Sequence, residues 1–170
     1  MNVFSTVSAD EVAQRIAASH ESVRAVHDYW HGKAAGRPMP ARADIDPVDL
    51  KSYLPMIILI DVVDDDRRFV YRLVGTREVA ARGDDPTGKS VIEAHFSSTA
   101  EEAVAIYDHV RTSRRPFCFR DPFPAPDGRI EVDDIVFLPL SDDAERVNMI
   151  LVYSYMYQFR PRAEPGVLSR

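Results

Sequence analysis

The segment Gly83–Ser90 carries a pattern with a well-defined chemistry. It satisfies the phosphate-loop pattern G-x4-G-K-[ST], in which backbone amides and a lysine hold nucleotide phosphates. That mechanism requires the loop to follow a buried strand directly and to open a helix, but a predicted helical stretch over 76–82 precedes it. Asp84 and Asp85 would point negative charge toward the phosphates, and Pro86 lacks an amide donor. We interpret the segment as a tight turn and keep nucleotide binding as a remote alternative.

The histidines and the cysteine form no recognisable metal or nucleophile pattern. His20, His27 and His31 share one side of a predicted helix, but no carboxylate of suitable spacing completes a metal-binding set there. Cys118 is the only cysteine, so the chain alone can form neither a disulfide nor a Cys-rich zinc site. No Ser-His-Asp or Cys-His arrangement has motif support. We therefore predict no catalytic residues and no metal site.

Composition and charge restrict the class of partner. The 170 residues are 45% hydrophobic and 28% charged, which is ordinary for one globular domain. The net charge of −6 gives no overall attraction to nucleic acids or anionic membranes. The N-terminus lacks a signal-peptide pattern, and the longest apolar run, Met56–Ile60, is too short to span a bilayer. We expect a cytoplasmic protein without membrane insertion or nucleic-acid binding.

A long N-terminal helix is predicted from Ser8 to about His31. Ser8 and Glu11 form a capping box at its start, and Gly32 and Gly36 end it. Its apolar positions follow a narrow heptad seam, which suits packing either on the chain's own core or against a second subunit. The candidate residues for a homodimer interface are therefore Val12, Ile16, Val23, Val26 and Trp30. Both alternatives stay open from the sequence.

The rest of the chain predicts strands grouped around a helical insert. Alternating apolar residues and turn residues predict strands over Met56–Val63, Arg68–Val74, Phe117–Phe123, Ile130–Leu140 and Arg146–Tyr155. Apolar spacing and capping residues predict helices over Thr76–Arg82, Ser90–Phe96 and Thr99–Thr112. This order predicts an α+β fold, the PAS order of elements, with a five-stranded antiparallel sheet, helices on one face and an additional N-terminal helix.

Several short motifs occur in a fixed order between Ala25 and Tyr155. They are Tyr29-Trp30, Pro40–Pro47, Tyr53-Leu54-Pro55, Phe69–Thr76, Gly83–Gly88 and Leu138–Ser141. Together they resemble a bacterial PAS-like family, whose members are often small standalone proteins common in alphaproteobacteria. The resemblance implies a PAS fold and a sensory or adaptor role, without a common ligand chemistry.

The PAS resemblance also implies where a ligand would bind. In that fold the site lies between the inner face of the sheet and the middle helices, in an apolar pocket with a few polar groups. The candidate cavity residues are Tyr71, Phe96, Tyr107, Cys118, Arg120, Phe137 and Tyr153. Haem and flavin are not expected, because the Asn-Cys-Arg motif of flavin photosensors is absent and isolated histidines are weak haem candidates.

The strand arginines have a second interpretation that involves no ligand. Arg72 and Arg120 lie on strands that are otherwise apolar, and an inward-facing arginine would need a carboxylate or an anionic ligand. We favour outward-facing arginines that are solvated or that pair with Asp121 or Glu131, because charged side chains rarely lie buried without a partner.

The expected organisation is an N-terminal helix for dimerisation or core capping (1–36), a PAS-like domain (37–157) and a flexible tail (158–170). We expect a non-catalytic signalling protein that senses a small molecule and passes the signal to a regulatory partner such as a histidine sensor kinase. The alternative is an adaptor that binds other proteins and no ligand, with aromatic side chains filling its pocket.

Overall fold

A five-stranded antiparallel sheet forms the centre of the protein. The computed structural model describes residues 7–95, 97, 99–124, 128 and 130–158. The strands are β1 (Ile57–Val62), β2 (Phe69–Val74), β3 (Phe117–Pro124), β4 (Ile130–Leu140) and β5 (Met149–Gln158), in the spatial order β2-β1-β5-β4-β3. The helices are α1 (Ala9–Ala18), α2 (Glu21–Ala34), α3 (Thr76–Arg82) and α4 (Ala100–Ser113). The predicted α+β architecture, with its helical insert between the second and third strands, is confirmed.

Helices cover both faces of the sheet. We call the face that packs against α3 and α4 the inner face, and the face that packs against α1 and α2 the outer face. Successive side chains of a strand point to opposite faces, so Phe137 of β4 contacts Tyr107 of α4, while neighbouring positions face α2. The Trp30 indole of α2 donates a hydrogen bond of 2.8 Å to the Pro139 carbonyl. The sheet is therefore a layer between two groups of helices.

The N-terminal segment forms two helices, so the prediction of one helix from Ser8 to His31 is wrong. The predicted capping box is present, and α1 runs from there to Ala18. Ser19 then adopts an extended backbone, and its hydroxyl donates to the Ile16 carbonyl at 2.6 Å. His20 caps α2 by accepting a hydrogen bond at Nδ1 from the Ser22 amide. These side-chain bonds replace helical backbone bonds and break the helix.

The predicted helix over Ser90–Phe96 is also absent. Residues 91–94 make a single turn, in which the Ala94 amide donates to the Ser90 carbonyl at 3.1 Å. Ser90 itself forms an isolated antiparallel bridge with Val70 of β2. Pairing of Ser90 with a strand competes with helix formation in this segment. Phe96, the last residue of the predicted helix, lies outside the described residues.

Gly75 connects β2 directly to α3 and lies against the turn that precedes β1. Its amide donates to the Ile57 carbonyl at 2.8 Å, and it is the N-cap residue of α3. A Cβ atom at this position would overlap the carbonyl oxygens of Leu54 and Pro55. Only glycine allows this close approach of two backbone segments, which fixes α3 beside the sheet.

We predict that Gly75→Ala destabilises the fold by ~1–3 kcal/mol, because the backbone of residues 54–55 would have to move. The measurement is urea unfolding. The matched control is Gly32→Ala in α2, where the new Cβ meets nothing within 4 Å. It should leave stability unchanged or raise it by up to ~1 kcal/mol. Equal effects of the two substitutions would contradict this account of Gly75.

Candidate functional site

A cavity of about 80 Å³ lies between the inner face of the sheet and helices α3 and α4. Its aromatic walls are Tyr71, Tyr107, Phe119 and Phe137. Its polar walls are Glu78, Arg82, Ser97, Asp121, Asp133 and Ser154. The combination of apolar walls with a few convergent polar groups is typical of a small-molecule site.

Ring contacts hold the aromatic wall in place. Tyr107 meets Phe137 edge-to-face at 5.5 Å between ring centroids, and Phe119 stacks on Phe137 at 5.7 Å. The Tyr71 hydroxyl donates to the Ala94 carbonyl at 2.9 Å. Burial raises the pKa of Tyr71 and raises that of Tyr107 well above its ordinary value. Both phenols are therefore neutral hydrogen-bonding groups at physiological pH.

An ion pair on α3 forms the polar roof of the cavity. Arg82 follows Glu78 by one helical turn, and its Nε lies 3.3 Å from Glu78 Oε2. The Ser154 hydroxyl of β5 donates to the other carboxylate oxygen, Oε1. Glu78 and Ser154 are both buried. These contacts tie α3 to the inner face of the sheet.

Two further carboxylates face each other across the floor of the cavity. Asp121 of β3 and Asp133 of β4 are direct partners in the antiparallel ladder. Asp133 is 5% exposed, and Asp121 is partly buried. Burial, and then the nearby Glu102 carboxylate, raise the pKa of Asp121. Both carboxylates therefore lie on the inner face of the sheet, at the floor of the cavity.

Three of the predicted cavity residues line the cavity, namely Tyr71, Tyr107 and Phe137. Cys118, Arg120 and Tyr153 do not line it, because the alternation of their strands places them on the outer face. Phe96 lies outside the described residues.

The polar residues that line the cavity were not predicted from the sequence. Glu78 and Arg82 are spaced four residues apart on a short helix, and pairs with this spacing usually face solvent. One signal was present: consecutive acidic residues on a strand must point to opposite faces, so Asp133-Asp134 places a carboxylate on each.

Asp134 organises the outer face opposite the cavity. It accepts hydrogen bonds from the Arg120 guanidinium at 2.7 and 3.2 Å, from the Tyr157 hydroxyl at 2.8 Å and from the His20 amide at 2.8 Å. Burial acts to raise the pKa of Asp134, but these bonds outweigh it and lower the pKa. The His20 ring stacks on Tyr155 at 3.4 Å. The junction of α1 and α2 is therefore anchored to β4 and β5, and Asp134 links it to Arg120 of β3.

The outward orientation of both strand arginines is correct, but their partners differ from those expected. Arg120 pairs with Asp134, its direct partner in the ladder, instead of Asp121 or Glu131. Arg72 pairs with Asp61 of β1 at 2.9 Å. Neither arginine faces the cavity, so neither can hold an anionic ligand there.

The five residues of the heptad seam are buried within this chain. Val12 and Ile16 lie on α1, and Val23, Val26 and Trp30 lie on α2, all part of the hydrophobic core. Val23 is 0% exposed. Subunit contact through these side chains would require the helices to leave the sheet.

The phosphate-loop pattern lies on an exposed turn. Lys89 Nζ is 3.0 Å from Asp84, and Asp85 accepts a hydrogen bond from the Thr87 amide at 3.0 Å. The turn leads into the bridge at Ser90 and opens no helix. In the part of the chain that the structure describes, no group of three or more His, Cys, Asp or Glu residues is placed to hold a metal ion.

Cys118 lies on the outer face under α1 and is 2% exposed. Burial raises the pKa of its thiol to about 12. Because the thiolate is the reactive form, we predict that native protein resists iodoacetamide at mildly alkaline pH and that urea-unfolded protein is alkylated rapidly. Mass spectrometry would measure this. Equal rates in the two states would contradict the assigned environment.

The comparisons with known proteins agree with this architecture. No curated protein matches the chain. VqmA bound to DPO is structurally similar, with 17% identity, a TM-score of 0.50 and coverage of 66% of this chain and 57% of VqmA. The PAS domain of the fruit-fly ELK potassium channel has 9% identity and a TM-score of 0.50, with coverage of 66% and 94% respectively.

None of the helices within the described ranges is long and apolar enough to cross a membrane. The chain spans little more than half the length of VqmA, so this likeness concerns the fold. A sequence-family model described as "PAS domain" matches residues 18–153, which is most of the chain. The five-stranded sheet, the helices between its second and third strands and this match together establish that the chain belongs to the PAS domain family, a signal-sensing fold.

Proposed function

We propose that this chain is a non-catalytic, cytoplasmic sensor that binds a small molecule in its inner cavity and signals to a regulatory protein such as a histidine sensor kinase. The observation that carries the proposal is the cavity itself, in which buried Glu78, Asp133 and Ser154 adjoin aromatic walls. Well-placed polar groups beside apolar walls supply the specificity that a ligand site needs.

The size of the cavity limits the ligand. About 80 Å³ is far below the ~300–1,000 Å³ of sites for drug-sized molecules. Haem and flavin belong to that larger class, so neither fits without a large rearrangement of α3 and α4. The structure therefore favours a ligand of only a few heavy atoms.

A route for the signal crosses the sheet at two adjacent residues of β4. Asp133 lines the cavity on the inner face, and Asp134 anchors the α1–α2 junction on the outer face. Displacement of β4 by a ligand would change the hydrogen bond from the His20 amide to Asp134. A ligand that favours one geometry of this junction shifts the population of docked and released helices.

Self-association belongs to the same proposal. The seam residues Val23 and Val26 cannot pack on the sheet and on a second subunit at once. With α2 docked, a homodimer would use the outer surface of the helices. With α2 released, the predicted seam becomes available to a second copy or to a kinase.

The small size of the cavity also favours a second candidate, an adaptor that binds proteins without a ligand. Aromatic rings pack against one another between α4 and the sheet, as they would in a filled core. In that case the buried ion pair of α3 has a structural role only.

Filling the cavity separates the two candidates. We predict that native mass spectrometry of the freshly purified protein detects a bound small molecule, and that Ala103→Leu removes it, because Ala103 lines the cavity. The matched control is Ala105→Leu on the same helix, at a position that does not line the cavity. It should retain the added mass. A bare chain mass in wild type and control would contradict the sensor, and a lower stability of Ala103→Leu than of Ala105→Leu would then support the filled core of the adaptor.

A further inference from the structure

We propose that the hydroxyl group of Tyr107 selects the ligand, by donating a hydrogen bond to a carbonyl oxygen of a small molecule in the cavity. This inference rests on the proposed sensing function and specifies the class of ligand. It follows from the burial of Tyr107, from the fixed position of its ring and from the state of its hydroxyl group.

The ring of Tyr107 is held in place before any ligand binds. Tyr107 lies on the buried side of α4 and lines the cavity. The centroid of its ring lies 5.5 Å from that of Phe69 and 5.5 Å from that of Phe137. These two contacts restrict the ring, so the direction of the hydroxyl is restricted as well. A donor that is already in position loses little conformational entropy on binding.

The hydroxyl group of Tyr107 is buried without a partner in the protein. The residue is 7% exposed, and within the part of the chain that the structure describes its hydroxyl makes no hydrogen bond. Tyr71, Glu78 and Arg82, which all line the cavity, act electrostatically on the phenol, so the hydroxyl lies on the cavity side of the ring. Buried tyrosine hydroxyls usually have a hydrogen-bond partner, because an unpaired polar group out of water costs free energy. A ligand atom in the cavity would be that partner.

The other hydroxyl groups that line the cavity are less suited to this role. The Tyr71 hydroxyl donates to a backbone carbonyl at 2.9 Å, and the Ser154 hydroxyl donates to a carboxylate. A hydroxyl has one proton to donate, so both donors are already used. Ser97 is only half-buried, so water competes for its hydroxyl. Among the described residues, Tyr107 is therefore the deeply buried hydroxyl of the cavity that can donate to a ligand.

The state of the phenol and the apolar walls specify the ligand. Burial raises the pKa of Tyr107 well above its ordinary value, so the hydroxyl keeps its proton at physiological pH and can donate it to a hydrogen bond. A carbonyl oxygen accepts hydrogen bonds and needs no acceptor in return. Ile58, Ile106 and Val152 give the hydrocarbon part of the ligand an apolar wall. The volume of about 80 Å³ restricts the ligand to a few heavy atoms.

The test compares acetone with 2-methylpropene, two probes of equal heavy-atom count and the same planar shape, of which only acetone has an acceptor oxygen. NMR titration of the full chain would measure the affinity of each probe for wild type and for Tyr107→Phe, which lacks only the hydroxyl. We expect Tyr107→Phe to weaken acetone binding by about fivefold, as for the loss of one uncharged hydrogen bond. Binding of 2-methylpropene should change by less than about twofold, because this probe makes no hydrogen bond that the substitution could remove.

Two further variants and one stability measurement complete the test. Tyr53→Phe is the matched control, because it removes the hydroxyl of a ring that packs on Tyr153 outside the cavity. It should leave the affinity for both probes unchanged. Ala103→Leu should abolish binding of both probes, since Ala103 lines the cavity. Without a probe, Tyr107→Phe should unfold at the same urea concentration as wild type or at a higher one, because no hydrogen bond within the described protein is lost.

The outcomes distinguish the role of Tyr107 from the sensing function. Equal weakening of both probes by Tyr107→Phe would assign the ring a packing role and overturn the proposal. Acetone binding that Ala103→Leu abolishes and Tyr107→Phe leaves unchanged would assign the hydrogen bond to another group and keep the sensor. A lower unfolding midpoint of Tyr107→Phe without a probe would assign its hydroxyl a structural role and overturn the proposal. No binding of either probe would also overturn it, while the mass-spectrometric test of Ala103→Leu would still decide the sensing function.

Discussion

The double coverage of β4 is the constraint on which the rest of the structure depends. This strand pairs with β3 and β5 along its length, and helices cover both of its faces. The side chains in the buried part of β4 are therefore surrounded by protein. The apolar side chains are accommodated by packing. Asp133 and Asp134 are both almost fully buried, so their carboxylates need polar contacts within the protein.

Asp133 and Asp134 have different roles on the two faces of the sheet. On the outer face, Asp134 accepts hydrogen bonds from Arg120, Tyr157 and the backbone of His20, and this defines where α1 ends and α2 begins. On the inner face, Asp133 lines the cavity. A single peptide unit thus separates the candidate ligand site from the anchor of the N-terminal helices. Any change in strand geometry at this point affects both.

Much of the fold could be predicted because its signals are local. The capping box at the start of α1 and the acidic turn between β1 and β2 depend on neighbouring residues, and the structure contains both. The break after Ala18 could not be predicted in this way. It depends on Ser19, His20 and a hydrogen bond to Asp134, which lies 114 residues away along the chain.

The candidate site was predictable only in part, for a related reason. Alternation shows that Cys118 and Phe119 face opposite sides of the sheet, but both sides are buried. Hydrophobicity therefore cannot tell which side holds the cavity. Glu78 presents the opposite difficulty, because its type suggests solvent and only the packing of α3 on β5 buries it.

The central claim is that the cavity and the α1–α2 junction are coupled through β4. Hydrogen exchange of backbone amides tests it most directly, comparing Ala103→Leu with Ala105→Leu under conditions where both are fully folded. The account predicts that filling the cavity changes the hydrogen-exchange rates of amides at the start of α2, including the His20 amide, which donates a hydrogen bond to Asp134. Changes confined to α3, α4 and the inner face, with the amides of residues 19–26 unaffected, would contradict it.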